Sequence, residues 1–178
     1  MPIRWFDPYI YEHNNLGTAI YTSCAHLFNN VNDEMSPLEA VLVAIMIRTM
    51  SGLDRFDIRD VLEVTPYNHY RQLLQRVISS VNPDLFDERM PGRRVSDIVK
   101  TAFQAQGSEN WVVIVSVGRH PNSIHMQGNT KYLFDDHRLV YTACSRAKQH
   151  LYIVGCAHTI GQSSRAWCRL LRRMLLID

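Results

Sequence analysis

The stretch Trp111-Val112-Val113-Ile114-Val115 decides the fold class of this 178-residue chain. Its residues are apolar without polar alternation, which is typical of a strand covered on both faces by helices. We predict that this strand continues to Val117 and belongs to a parallel sheet. Shorter apolar runs predict further strands at residues 58–64, 98–99 and 151–154.

Helical patterns separate these strands along the chain. Ser36-Pro37-Leu38-Glu39 combines an N-cap serine, a proline at the first helical position and a glutamate at the third, so a helix is predicted from there to Gly52. Apolar residues at helical spacing predict three more helices, over residues 73–81, 139–147 and 167–175. The alternation of strands and helices indicates an α/β fold with an open, mainly parallel sheet and helices on both faces.

Length and composition limit the class of protein. The 178 residues, 46% hydrophobic and 20% charged, fit one domain over residues 1–178. The longest apolar run, residues 40–47, is far shorter than the roughly 20 residues that cross a bilayer. We therefore expect no membrane partner. Because the N-terminus has no apolar signal region, we expect a cytoplasmic or nuclear protein.

Several familiar catalytic motifs are absent from the sequence. It contains no G-x-x-x-x-G-K-[ST] phosphate loop, no G-x-G-x-x-G, no G-x-S-x-G and no H-E-x-x-H. Its four cysteines form no C-x-x-C pair, so a metal site is not expected. The net charge of +2 neither requires nor excludes a polyanionic partner. We expect that this chain alone holds no ATP.

Three polar stretches follow the predicted strands in order. They are Thr65-Pro66-Tyr67-Asn68, then Thr101 with Gln106-Gly107-Ser108-Glu109, then Tyr141-Thr142-Ala143-Cys144-Ser145-Arg146-Ala147-Lys148. Open α/β sheets bind their ligands at the carboxyl ends of the strands, so we expect Thr65, Gly107 and Arg146 to converge at one edge. The long segment 118–130 is expected to be a mobile loop.

These stretches resemble motifs IV, V and VI of the second RecA-like domain of superfamily 1 helicases. The resemblance is greatest to the group containing the nonsense-mediated-decay RNA helicases and the nidovirus helicases. Thr65-Pro66-Tyr67 is similar to T-P-Y-x-x-Q, and residues 101–109 are similar to T-V-D-x-x-Q-G-x-E, with Arg119 after the following strand. RLVYTACSRAK, residues 138–148, is similar to R-R-L-N-V-A-x-T-R-A-K. The match covers about residues 57–174, with residues 1–56 forming a lead-in and a helix.

The resemblance implies a RecA-like domain of the P-loop NTPase type without its own phosphate loop. The domain would contact ATP and Mg²⁺ held mainly by a separate first RecA-like domain, and it would grip single-stranded RNA or DNA. Arg146 would supply the catalytic arginine in trans to the transferred phosphoryl group. The implied nucleotide contacts are Gln106, Gly107, Glu109, Arg138 and Lys148. The implied nucleic-acid contacts are Thr65, Pro66, Tyr67, Thr101 and Arg119.

Three residues depart from the family pattern, and they keep other functions open. Tyr70 stands where motif IV has Gln, Phe103 where motif V has Asp, and Leu139 where one form of motif VI has a second Arg. A non-catalytic nucleic-acid-binding or regulatory module derived from a helicase half is the alternative. A small α/β enzyme unrelated to helicases would need an internal catalytic cluster, and the sequence offers none.

Overall fold

The protein is described by a computed structural model that covers residues 3–6, 25–28, 35–52, 56–87, 89–90, 93–118, 136–156 and 165–174. Its strands are β1 (Ile3–Phe6), β2 (Val61–Thr65), β3 (Val99–Thr101), β4 (Asn110–Ser116) and β5 (Ala147–Val154). Its α-helices are α1 (Pro37–Gly52), α2 (Asn68–Val81), α3 (Val95–Ile98), α4 (His137–Cys144) and α5 (Arg165–Met174). Short 3₁₀ helices cover Ala25–Phe28 and Ile58–Asp60.

The five described strands form one sheet in the order β1-β5-β4-β2-β3, with every pairing parallel. Side chains on alternate strand positions enter two separate cores. One core packs Val61, Val112 and Ile114 against α1 and α2, and the other packs Val113, Val115 and Leu151 against α4 and α5. The predicted class, an α/β fold with an open parallel sheet and helices on both faces, is confirmed.

The predicted start of α1 is also confirmed. The helix begins at Pro37 and ends at Gly52, and the Ser36 hydroxyl accepts a hydrogen bond from the Glu39 N–H at 3.2 Å. The Glu39 carboxylate also contacts a residue outside α1. It is buried, and its Oε2 accepts from the Gly118 N–H at 2.7 Å, which ties α1 to the end of β4.

Several predicted boundaries are wrong. Residues 58–60 form a 3₁₀ turn rather than the start of a strand, because Asp57 caps this turn by accepting from the Arg59 N–H at 2.9 Å. Ile98 ends α3, so the next strand runs from Val99 to Thr101. Ala147 was assigned to a helix, but α4 ends at Cys144 and Ala147 begins β5.

One strand, β1, lies outside the sequence-based prediction, and one predicted feature falls on residues that the structure does not describe. Ile3–Phe6 pairs in parallel with β5, from Ile3 opposite Leu151 to Phe6 opposite Val154, and so forms an edge of the sheet. The expected mobile loop, residues 118–130, falls outside the described residues except for Gly118. No helix in the described part of the chain is long and apolar enough to span a membrane.

Candidate functional site

Arg146 lies between α4 and β5, at the amino edge of the sheet. Its backbone carbonyl accepts from the Asn110 N–H at 3.0 Å, and Asn110 is the first residue of β4. The half-buried guanidinium donates from Nε to the Thr142 carbonyl at 3.0 Å and from Nη2 to the Ser145 hydroxyl at 2.8 Å. The Arg146 guanidinium therefore satisfies one carbonyl group in the last turn of α4, a usual role for a cation just after a helix C-terminus.

The loop that carries the motif V residues reaches the same edge. It leaves β3 at the carboxyl edge and returns to Asn110, so Glu109 directly precedes the residue that bonds Arg146. Gln106 and Glu109 are exposed, and Gly107 has a positive φ of 75°, which favours glycine. No heavy atom lies within 4 Å of the position that a Cβ of residue 107 would take, so its backbone is open to close approach.

Lys148 and Arg138 lie on opposite sides of the α4 to β5 connection. Lys148 is the second residue of β5, is exposed, and follows Arg146 by two positions. Arg138 is in the first turn of α4, and the helix rises about 9 Å from there to its last residue, Cys144, two positions before Arg146. The structure therefore groups Lys148 with Arg146 and places Arg138 at the other end of the helix.

The motif IV residues and Thr101 lie at the carboxyl edge. Thr65 and Thr101 are register partners at the ends of β2 and β3, and the Ala102 N–H donates to the Thr65 carbonyl at 2.9 Å. Thr65 and Pro66 are buried, and Tyr67 is half-buried. The Thr101 hydroxyl accepts from the Gln104 N–H at 3.3 Å. Arg119 lies outside the described residues.

The expectation that Thr65, Gly107 and Arg146 share one edge is wrong. Val61 pairs with Val112 and Val64 with Val115, so Thr65 ends its strand near the carboxyl end of β4, whereas Arg146 contacts the amino end of β4. The physical reason is the crossover connection: α4 runs back from the carboxyl edge to the amino edge, and so does the loop after β3. The candidate residues therefore form two groups, one at each edge.

A narrow cleft separates α4 from the carboxyl ends of β2 and β4. Its free volume is about 10 Å³, close to the space of one water molecule, so no base or sugar enters it. It is lined by Val64, Thr65, Pro66, Ala102, Val115, Leu139, Val140 and Ala143. The Thr65 hydroxyl oxygen is buried and has no hydrogen-bond partner among the described residues.

A wider cleft of about 360 Å³ opens beside the amino end of β2, but its carboxylates are already paired. Asp57 bonds Arg59 at 2.9 Å and lies 3.6 Å from Arg93, while Asp84 pairs with Arg48. The hydrogen bond from Arg59 lowers the pKa of Asp57 to about 2. No cluster of His, Cys, Asp and Glu suited to a metal ion occurs within the described ranges.

The sequence analysis missed a buried carboxyl group at Glu63. This side chain is fully buried in the middle of β2, and the Ser116 hydroxyl donates to its Oε1. Burial raises the pKa of Glu63 to about 8, although the hydrogen bond from Ser116 acts in the opposite direction. A single glutamate inside the apolar run Val61-Leu62-Glu63-Val64 was the signal that was available in the sequence.

The chain belongs to the AAA domain family, which it matches over residues 15–158. Among solved structures it is similar to the C-terminal domain of a possible DNA helicase from Lactobacillus plantarum WCFS1, with 18% identity and a TM-score of 0.47. That match covers 86% of this chain and 94% of the other. A likeness at this level carries no weight for function. No curated protein matches this chain significantly.

Proposed function

We propose that this chain is the second motor domain of an ATP-dependent nucleic-acid helicase, of the nonsense-mediated-decay-like group of superfamily 1. The observation that carries the proposal is the position of Arg146 beside the loop that holds Gly107 and Glu109, away from the threonine pair. A motor domain needs two separate contact regions. One contacts the ATP that the neighbouring domain holds, and the other contacts single-stranded nucleic acid. The membership in the AAA domain family supports the same proposal.

The amino-edge group fits a partial contact with a nucleotide rather than a complete pocket. Arg146 uses two of its N–H groups on Thr142 and Ser145, and a guanidinium has five such donors. Gly107 allows close backbone approach, and the exposed Glu109 carboxylate is suited to accept from ribose hydroxyls. Gln106 and Lys148, both exposed, would complete the contact.

In the proposed mechanism this chain contributes charge at the transferred phosphoryl group, while the first RecA-like domain holds ATP and Mg²⁺. Phosphoryl transfer depends on positioning and on electrostatic stabilisation, and an arginine supplied in trans stabilises the charge that develops in the transition state. Arg146 would exchange its bonds to Thr142 and Ser145 for phosphate oxygens when the two domains close.

The carboxyl-edge group would contact the phosphodiester backbone of a single strand. Thr65 and Pro66 are buried, so they would act by holding the carboxyl ends of β2 and β3 in place, and the half-buried Tyr67 is the most accessible of the three motif IV residues. Thr101 and Arg119 complete the set that the motif resemblance implies. Backbone contacts of this kind position a strand without reading its sequence.

A non-catalytic module remains the second candidate, and the environment of Tyr70 favours it. Tyr70 stands at the motif IV glutamine position, yet its ring is fully buried and its hydroxyl donates to the Ser36 carbonyl at 3.3 Å. A buried ring at this position contacts no nucleotide. This domain would then keep the fold and bind single-stranded nucleic acid without taking part in ATP hydrolysis.

Reconstitution of turnover distinguishes the two candidates. This chain, joined to an ATP-binding first motor domain, is assayed for phosphate release with and without single-stranded nucleic acid. The motor proposal expects release that depends on both domains and rises with the strand. A fusion that binds the strand but gives no more phosphate than the first domain alone would favour the module.

A further inference from the structure

Two exposed aromatic rings stand near the carboxyl edge. Phe103 is 56% exposed and Tyr141 is 63% exposed, although both are large apolar side chains. Phe103 directly follows Ala102, Tyr141 directly follows Val140, and both Ala102 and Val140 line the narrow cleft. The rings therefore project from the two elements that meet at this cleft.

The cleft itself is too small to hold a ligand group, because its free volume is about 10 Å³. Any partner at this place must lie on the surface and contact the exposed rings. A partner with flat, polarisable faces suits such rings, because aromatic side chains stack on bases whatever the base sequence.

The exposed face of α4 adds positive charge beside Tyr141. Arg138 lies one turn before Tyr141, is exposed, and makes no ion pair with any residue that the structure describes. The ring of His137 packs edge-on against Tyr141, with centroids 6.4 Å apart and an interplanar angle of 79°, and so supports the ring from one side. Asp136, the acidic residue two positions before Arg138, caps α4: its Oδ1 accepts a hydrogen bond from the backbone N–H of Arg138 at 2.9 Å.

We propose that Phe103, Tyr141 and Arg138 form a contact surface for single-stranded nucleic acid. Bases stack on the two rings, and the Arg138 guanidinium contacts a phosphate. This inference rests on the proposed function, and it moves the main strand contact from the buried threonines to exposed side chains. It also gives Phe103, which replaces the motif V aspartate, a role of its own.

Fluorescence anisotropy of a labelled oligonucleotide tests this surface. Oligo-dT and oligo-U of about 16 nucleotides, the upper site size of a small single-strand-binding domain, serve as probes for the intact chain. Tyr141→Ala and Phe103→Ala should each weaken binding about tenfold, whereas Tyr141→Phe, which keeps the ring, should bind like the original chain. Arg138→Ala should lower the slope of log affinity against log salt by about 1.

The matched control is Arg76→Ala, because Arg76 is an exposed arginine on α2, on the other face of the sheet. It should change neither affinity nor salt slope. Thermal melts check that each variant is folded, and Arg138→Ala still tests the surface if a ring variant unfolds.

The possible outcomes separate the surface from the function. Binding that is equal in the original chain and in all three surface variants would overturn this surface and leave the helicase proposal standing. Absence of binding to either oligonucleotide would overturn the surface together with the strand-binding part of the proposed function.

Discussion

Glu63 shows how one residue changes its chemistry when the chain folds. Glu63 lies in β2, the strand between β3 and β4, and its carboxyl group is fully buried with the Ser116 hydroxyl as its donor, so its pKa rises to about 8 from 4.5. The folded state therefore binds this proton more tightly than the unfolded state does. The stability that this proton contributes is fully present below the pKa of Glu63 in the unfolded chain. It is lost as the pH rises from that value through the pKa of Glu63 in the folded chain.

We predict that Glu63→Gln removes a pH dependence of stability. The free energy of unfolding of the original chain should fall between about pH 5 and pH 8, by on the order of 1 kcal/mol per pH unit, and then level off. The glutamine variant keeps the shape of the protonated group and should lose this slope. Urea unfolding from pH 5 to pH 9 measures it, with Glu109→Gln, an exposed carboxyl, as the control. Parallel slopes for the original chain and Glu63→Gln would show that Glu63 is not the group responsible.

Single residues also show what sequence can and cannot predict. Gly107 was selected for backbone freedom, and it does adopt a positive φ. The bonds of Arg146 to Thr142 and Ser145 were not predictable, because they depend on where the helix ends and which rotamer the side chain adopts. Burial of Thr65 was also missed, because threonine at a strand end is equally common at the surface.

Among the elements, the junction of α1, α2 and β4 depends on Gly118. Gly118 has a φ of 74°, its N–H donates to Glu39, and its carbonyl accepts from the Ser36 N–H at 3.2 Å. A Cβ at this position would overlap the ring of Tyr70. The buried tyrosine at the motif IV position therefore packs directly against a glycine that leaves room for it.

Substitution of this glycine should destabilise the fold. We expect Gly118→Ala to lower the free energy of unfolding by about 3 kcal/mol, because left-handed backbone strain and overpacking against Tyr70 add together. Gly107→Ala is the matched control, since residue 107 has a similar φ but open space around it. It should cost only about 1 kcal/mol, the strain alone. Equal losses in denaturant melts of the two variants would mean that the contact with Tyr70 has no energetic effect.

Element types were easier to predict than element ends. The helix from Pro37 to Gly52 was predicted at both ends, because cap residues and a glycine mark its limits locally. The start of β5 was assigned to a helix because Ala147 continues the apolar spacing of α4, whereas pairing with Asn110 makes it a strand residue. β1 was missed because its pairing partner, β5, lies more than 140 positions away in the sequence.

For the whole molecule, the two-edge arrangement predicts a domain that contacts ATP and a strand but completes neither site alone. Under the proposed function the first RecA-like domain would position the β- and γ-phosphates, because the sequence contains no phosphate loop. The order of the motifs in the sequence could not predict that their residues lie at both the amino and the carboxyl edge of the sheet. The edge that each residue reaches depends on where its crossover connection ends.

The isolated chain should bind single-stranded nucleic acid weakly, without sequence preference, and with a steep loss as salt increases. Contacts with the phosphate backbone release counterions, and under the proposed function this chain would contact only part of the bound single strand. Salt titration of anisotropy on oligonucleotides of different sequence measures this. A salt-independent affinity in the nanomolar range would contradict the prediction.

The isolated chain should also release no phosphate from ATP, because its sequence contains no phosphate-loop motif to position the phosphates. A sensitive phosphate-release assay, with and without a single strand, checks this directly. Turnover by these 178 residues would reveal a nucleotide site of their own.

The central claim is that Arg146 acts in trans on ATP, and one measurement tests it most directly. Phosphate release stimulated by single-stranded nucleic acid is compared between the fusion to a first motor domain and its Arg146→Ala variant, with Arg76→Ala, an exposed arginine on the other face of the sheet, as the matched control. We predict a loss of about 10³- to 10⁵-fold in rate for Arg146→Ala and no comparable loss for Arg76→Ala, while thermal melts show both variants folded. Undiminished phosphate release by a folded Arg146→Ala variant would contradict the account.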